Sequence, residues 1–282
     1  MRADLHSHST ASDGTCPPAE VMWRARAAGL DVIALTDHDT VAGHDEARRA
    51  LPPGLTLVPG MELSCRLEGH SVHLLGYLFD PAHEELAAEC ARIAGSRLHR
   101  ARAMVDRLAE LGVPVTWEQV SAIAGGGVVG RPHVARAMVE AGVIESPEQA
   151  FGPEWIGPGG RAHVIRYALD PARAVSLIRA AGGVAVLAHP RVAARGWTVP
   201  DDVIAGLAAA GLSGIEVWHP DQDPAARAKL QALAGRLGLV ASGGSDDHGE
   251  LTGYRIGSDT ITPDAYQLLV SQATGATPVT GR

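Results

Sequence analysis

Short, unbroken apolar runs alternate with longer amphipathic stretches at both ends of the chain. Ala3 to Leu5 is a short apolar start, Val32 to Leu35 has the continuous apolar character of a buried strand, and Thr56 to Val58 and Val72 to Phe79 are further strand candidates. Pro18 to Ala28 predicts a helix, opened by proline and closed by Gly29. The same rhythm returns later, with helices at Ala172 to Ala181, Val203 to Ala210 and Ala225 to Leu237. Between and after them lie strands at Val184 to Leu187, Ile215 to Trp218 and Leu239 to Ala241. Repeated βα units of this kind imply an α/β fold, a parallel sheet covered by helices and either open or closed into a barrel.

The rhythm breaks between about residues 90 and 168. Glu84 to Leu111 predicts one long helix, with Ile93, Leu98, Ala101, Val105 and Leu108 near helical spacing. Trp117 to Ile123 and His133 to Ala141 predict two more helices, separated by Gly125-Gly126-Gly127, and Pro153 to Gly160 leads back to the βα pattern. The expected organisation is a βα domain in two parts, 1–90 and 169–282, with residues 91–168 inserted as a helical cap.

Composition narrows the function. With 282 residues, 46% hydrophobic and 20% charged, the chain can bury a sizeable core. Apolar runs such as Val184 to Ala188 are too short to span a bilayer, and Met-Arg-Ala-Asp-Leu-His at the start has no apolar targeting core. Three widely spaced cysteines, Cys16, Cys65 and Cys90, fit neither a disulfide framework nor a CxxC clamp. A cytoplasmic location is the expectation. The net charge of −8 offers no global field for nucleic acid. Lys229 is the single lysine, which almost excludes lysine-dependent chemistry.

The informative residues are the histidines, 13 in number, and the acids near them. His6-Ser7-His8 follows the first predicted strand, with Asp13 close behind. Asp37-His38-Asp39 follows the second and Glu62 the third. His73 lies within Val72 to Tyr77, His189 follows Val184 to Leu187, and Asp246-Asp247-His248 follows Leu239 to Ala241. In parallel α/β folds the carboxyl ends of the strands open on one face, so these groups would converge on one cup. Side chains two apart on a strand point the same way, which suits an HxH pair to metal binding. Imidazole and carboxylate are donors that zinc, manganese and iron accept, and about nine donors are enough for two or three ions. His44, His70, His83 and His99 fall on polar positions and are expected to be solvated. His219, after Ile215 to Trp218, is an even choice between bystander and support for the ligands.

These motifs resemble the four-motif set of the PHP (polymerase and histidinol phosphatase) superfamily. The residues concerned are His6-Ser7-His8, Ser12-Asp13-Gly14, Thr36-Asp37-His38-Asp39, Gly60-Met61-Glu62, Ala188-His189-Pro190 and Gly244-Ser245-Asp246-Asp247-His248. The resemblance runs in order from the first residues to about residue 250. It implies a distorted seven-stranded βα barrel with two or three divalent ions, manganese, zinc or iron. His6, His8, Glu62 and Asp246 would hold the first ion. Glu62 would bridge to a second on His73 and His189, and Asp13, His38 and His248 would hold the third. Asp37, Asp39 and Asp247 are expected to orient ligating imidazoles.

Gly130-Arg131-Pro132-His133-Val134-Ala135-Arg136 is similar to the insertion of small stand-alone members, among them 3′,5′-nucleoside bisphosphate phosphatases and 5′-to-3′ exoribonucleases. From Arg92 to Arg136, seven arginines face three acids, a net of +4 in an acidic chain. Guanidinium forks suit phosphate. Arg131, His133, Arg136, Arg166 and Arg191 are therefore the expected substrate contacts, and Arg92, Arg97 and Arg100 an expected solvated face. Trp117 and Trp155 are candidates to stack on a base and, more ordinarily, core residues.

The chemistry implied is hydrolysis of a phosphomonoester by an ion-bridging hydroxide, with Arg131 offsetting phosphate charge and Asp246 and His248 at the reacting centre. The expected substrate is a nucleotide, such as a 3′,5′-nucleoside bisphosphate, or the 5′ end of short single-stranded RNA, with no membrane or protein partner. Two alternatives stay open. One is an amidohydrolase-type hydrolase, whose binuclear sites commonly need a carboxylated lysine that Lys229 is poorly placed to supply. The other is a metal-binding accessory module without catalysis.

Overall fold

The computed structural model describes residues 1–192 and 196–282. Seven strands form one sheet in chain order: β1 (Ala3–Asp4), β2 (Val32–Leu35), β3 (Thr56–Leu67), β4 (His70–Tyr77), β5 (Val184–Leu187), β6 (Gly214–Trp218) and β7 (Val240–Gly243). The Leu5 N–H donates to Gly243 O at 3.2 Å and Ser7 bridges to Asp247, which brings the first strand against the last and nearly closes a barrel. A short β8 (Val279–Thr280) pairs with the outer part of β3.

Helices α1 (Pro18–Ala27), α2 (His44–Arg49), α6 (Pro171–Ala180), α7 (Asp201–Ala209), α8 (Pro224–Leu237) and α9 (Pro263–Gln272) belong to the barrel half of the chain, and α3 (Glu84–Glu110), α4 (Trp117–Ala124) and α5 (Arg131–Glu140) to the helical stretch. Proline at the first turn and a side-chain cap set several starts. Asp170 caps α6, Asp223 caps α8 and Thr262 caps α9, each accepting from backbone N–H groups the helix cannot satisfy itself.

Two features of the sheet differ from expectation. It is mixed, because β4 runs antiparallel to both β3 and β5. And β3 continues for 12 residues, so Glu62 lies inside the strand rather than after it. Pro59-Gly60 reads as a break in sequence. In the fold Pro59 has no N–H to lose, its carbonyl accepts from Leu78, and a Cβ on Gly60 would approach Gly76 O and Tyr77 to 3.0 Å. The close packing there favours glycine, since any side chain would have to push these neighbours back.

The described core residues fall into separate clusters. Leu86 and Ile93 of α3 pack with β3 to β6 and the helices around them. Ala101, Met104, Val105 and Leu108 of the same helix pack with Val120, Val134 and Met138. Helix α3 therefore runs from the barrel's core into the core of the helical segment.

Candidate metal centre

The first strand ends at Asp4 and delivers His6 and His8 to the mouth of the barrel. Asp4 holds that end down by accepting from the N–H groups of His6 (3.2 Å), Ser245 (2.9 Å) and Gly257 (2.8 Å). Burial raises the Asp4 carboxyl to about 6. Asp37 knots the following loop by accepting from Ser9 N (2.8 Å), Ser9 Oγ (2.7 Å) and Ser12 Oγ (2.6 Å), which places Asp13. Two of the expected ligands sit on strained backbone, His189 at φ 28° and Asp246 at φ 48°.

Donor atoms converge in three groups: His6, His8, Glu62 and Asp246; His8, Asp13, His38 and His248; and His38, Glu62 and His73, each spanning no more than 4.8 Å. His189 Nε2 adds a 2.9 Å approach to Glu62 Oε1. The nine residues expected to hold ions are thus brought together around Glu62, with His38 leaning toward Glu62 (3.1 Å) as well as toward Asp13 (3.7 Å). Seven of them are buried, and His73 and His248 are half-buried.

The donor chemistry fits divalent ions. His6 Nε2 and His8 Nε2 face each other at 3.1 Å, and both lie 3.2 Å from Asp246 Oδ1. His8 Nδ1 is buried without a hydrogen-bond partner, and His38 Nδ1, although 3.1 Å from Glu62 Oε2, is not aligned for a hydrogen bond. Burial opposes the charge on Glu62 and Asp246, yet the surrounding imidazoles hold both carboxyls well below the usual range. Burial likewise opposes the charge on His8, but Asp246 and Glu62 lift it to about 10. Burial takes His38 down to about 3, leaving a neutral imidazole. A pocket dense in lone pairs that retains protons only through its own carboxylates is one that cations can displace those protons from.

Hydrogen bonds fix the tautomers. His219 Nδ1 accepts from Asp221 N (3.1 Å), so its Nε2–H is the atom that meets Asp246 Oδ2 at 3.2 Å. His219, which is fully buried, supports a ligand. His248 meets Asp246 O through Nδ1 (3.0 Å) and turns Nε2 toward Asp13. Glu216 accepts from His6 Nδ1 at 2.9 Å, a contact that sequence reasoning missed because Glu216 belongs to no motif and lies within a strand.

Several expectations need correcting. Among the described residues, neither Asp39 nor Asp247 accepts a hydrogen bond from an imidazole: Asp39 accepts from Ser64 N (2.7 Å) and Arg97 Nε (2.6 Å), while Asp247 accepts from Gly249 N (3.0 Å), Arg255 N (2.6 Å) and Thr252 Oγ1 (3.1 Å). With Asp37, these acids order backbone. Arg97 and Arg100 are buried, not solvated, whereas Arg92 is exposed. His44 is buried with Nε2 against Gly60 O at 2.8 Å. His83 caps α3, and exposed His70 stacks on Trp197.

The expected phosphate contacts divide. Arg166 is buried, with Arg97, Arg131 and Arg66 adding to its burial in drawing it down to about 9. Burial and the same neighbours push Arg100 to about 7. Arg131 opens α5 and lies over the Phe151 ring, and His133 accepts from Gly130 N at 2.9 Å. Arg136 lies half-buried on the same helix. Arg191 is engaged by Asp201. Trp117 and Trp155 pack against the helical core. A cavity of about 560 Å³ lined by Thr10, Gly95, Leu98 and Gly125 to Val129 contains none of the nine donor residues, so it lies beside the centre rather than over it.

Comparison with known proteins agrees with this geometry. A model of the PHP domain matches residues 4–113. The chain is similar to a 5′-3′ exoribonuclease of Haemophilus influenzae, 38% identical over 247 residues and covering 87% of this chain and 89% of that one. It is similar also to a 3′,5′-nucleoside bisphosphate phosphatase of Chromobacterium violaceum, 36% identical over 254 residues and 89% of each chain. Among solved structures, one described as a metal-dependent phosphoesterase from Bifidobacterium adolescentis superposes with a TM-score of 0.90 at 33% identity, covering 96% of both chains.

Proposed function

The chain belongs to the PHP family, and we propose that it hydrolyses a phosphomonoester of a nucleotide, such as a 3′,5′-nucleoside bisphosphate, or the 5′ end of short RNA. The observation that carries this reading is the convergence of His6, His8, Asp13, His38, Glu62, His73, His189, Asp246 and His248 at one end of the barrel. Divalent ions bound there would supply Lewis acidity and an activated water for in-line attack at phosphorus.

The chain's own part is orientation and charge. Glu62 is shared between groups, and Asp246 keeps Oδ1 toward His6 and His8 because His219 engages Oδ2. Arg66, Arg97, Arg100, Arg131 and Arg166 gather where β3, α3 and the start of α5 approach one another, and Asp39 is taken up by Arg97. Burial and like charges oppose the charge on Arg100 and Arg166, and a bound anion would relieve that strain because guanidinium resists proton loss more than any other side chain. A phosphate away from the scissile one would relieve it, with Arg131 and His133 at the helix start as further contacts and Arg136 beside them. This arrangement supports a doubly phosphorylated substrate over a bare phosphate ester. Manganese, zinc and iron all suit the donors.

Lys229 is exposed on α8, which speaks against a lysine-bridged binuclear centre of the amidohydrolase type. His8→Ala and Asp246→Ala should abolish phosphate release in protein that keeps its circular-dichroism spectrum, and turnover by either variant would overturn the proposal. Arg166→Met should raise KM for a 3′,5′-bisphosphate about 10- to 100-fold, the worth of one charged hydrogen bond, while leaving a simple phosphate ester little changed. Equal effects on both substrates would contradict the second-phosphate reading.

A further inference from the structure

Glu216 sits in β6 with no exposed surface, and it touches two of the candidate ligands at once. Its Oε1 accepts from His6 Nδ1 at 2.9 Å and its Oε2 accepts from His189 N at 2.7 Å. His6 belongs to the group with His8, Glu62 and Asp246, while His189 approaches Glu62 from the other side. The pairing register against β7 shifts between Glu216 and Trp218, a local irregularity of the kind that changes where a side chain points. Gln222 clamps the same segment, donating to Glu216 O (3.1 Å) and Val217 O (3.0 Å) while accepting from Arg191 N (2.9 Å).

We infer that Glu216 is a positioning residue common to two ion sites, fixing the His6 ring through one oxygen and the strained His189 backbone through the other. With Nδ1–H committed to Glu216, His6 presents Nε2 to the centre. His189 holds φ at 28°, a conformation costly for a residue with a Cβ, and the bond from its N–H to a carboxylate is a strong local restraint on it. The inference rests on the ion-site reading above.

Glu216→Gln separates the two roles by chemistry, because an amide has one accepting oxygen where the carboxylate has two. If that oxygen takes His6 Nδ1–H, the amide N–H₂ opposes the His189 N–H. If it takes the His189 N–H, the N–H₂ faces His6 Nδ1 and favours a ring protonated at Nε2, which cannot ligate. Equilibrium dialysis against manganese should therefore show binding about 10- to 100-fold weaker than wild type. Zinc-loaded protein labelled with 15N-histidine should show the hydrogen-bonded Nδ1–H of His6 in wild type and a weakened or lost signal in Glu216→Gln. A folded variant with manganese affinity within twofold of wild type and an unchanged His6 signal overturns the inference. Should Glu216→Gln fail to fold, Glu216→Asp keeps the charge on a stem too short to reach both partners. It should also weaken binding, and unchanged affinity there is equally fatal. Wild type that binds no manganese would instead remove the ion-site reading itself, so the two failures are distinguishable.

Discussion

The imidazoles of the centre illustrate how burial and charge compete at the scale of one residue. In the absence of ions, Glu62 and Asp246 keep His8 protonated well past neutrality and His6 raised with it, through Asp246 and Glu216 acting against burial. A cation must displace those protons, so its apparent affinity should rise with pH, by about tenfold per unit for each proton displaced. Manganese dialysis at pH 6 and pH 8 checks this, and an affinity flat across that range would contradict the protonation scheme. Asp4 gives an independent pH signature. Its folded carboxyl, near 6, lies above its ordinary value of 3.8, so the fold gains from its proton at low pH and loses that gain as pH rises through 6. Between pH 4 and 7 ion-free wild type should lose about 2 kcal/mol relative to Asp4→Asn. Denaturation curves that stay parallel across that range would refute this assignment.

Most histidines and acids of the centre were legible because they sit in short motifs beside strand ends, whereas Glu62 and His73 lie within β3 and β4. Arg97 and Arg100 were not, although their spacing places them on one helical stripe with Ile93, Ala101 and Met104, all buried. Charge suggested solvent, whereas periodicity pointed inward. Glu216 left no sequence signal, since a single acid within an apolar strand is visible only once its partners are.

Among the elements, β3 and α3 join the parts of the molecule. Strand β3 pairs with β2 at its start and with β4 from Gly60 onward, and Glu62 lies early in that second stretch, opposite Leu75 of β4 and bridged to His38. Its length was missed because Pro59-Gly60 reads as punctuation. Helix α3 spans two cores, and the Arg97–Asp39 pair ties it to the loop that carries His38. Both charges are buried, so removing one leaves the other uncompensated. Arg97→Met should cost about 3–5 kcal/mol in chemical denaturation, and Arg97→Met with Asp39→Asn should recover part of that. Additive losses in the double variant would show that the pair is not coupled.

For the whole molecule, a nearly closed barrel gathers residues from 6 to 248 into overlapping donor groups, each no more than 4.8 Å across. The alternation of strands and helices made the α/β class legible. The antiparallel β4 was not, because an apolar strand carries no mark of its direction; pairing decides it. Among the described residues no helix is long and apolar enough to cross a membrane. The most direct test of the convergent centre is phosphate release from a 3′,5′-bisphosphonucleoside by chelator-treated protein, titrated with manganese. Activity should be absent at the start and climb to a plateau after two or more equivalents per chain. Full turnover before any ion is returned, or a plateau at a single equivalent, would contradict a centre built to hold several.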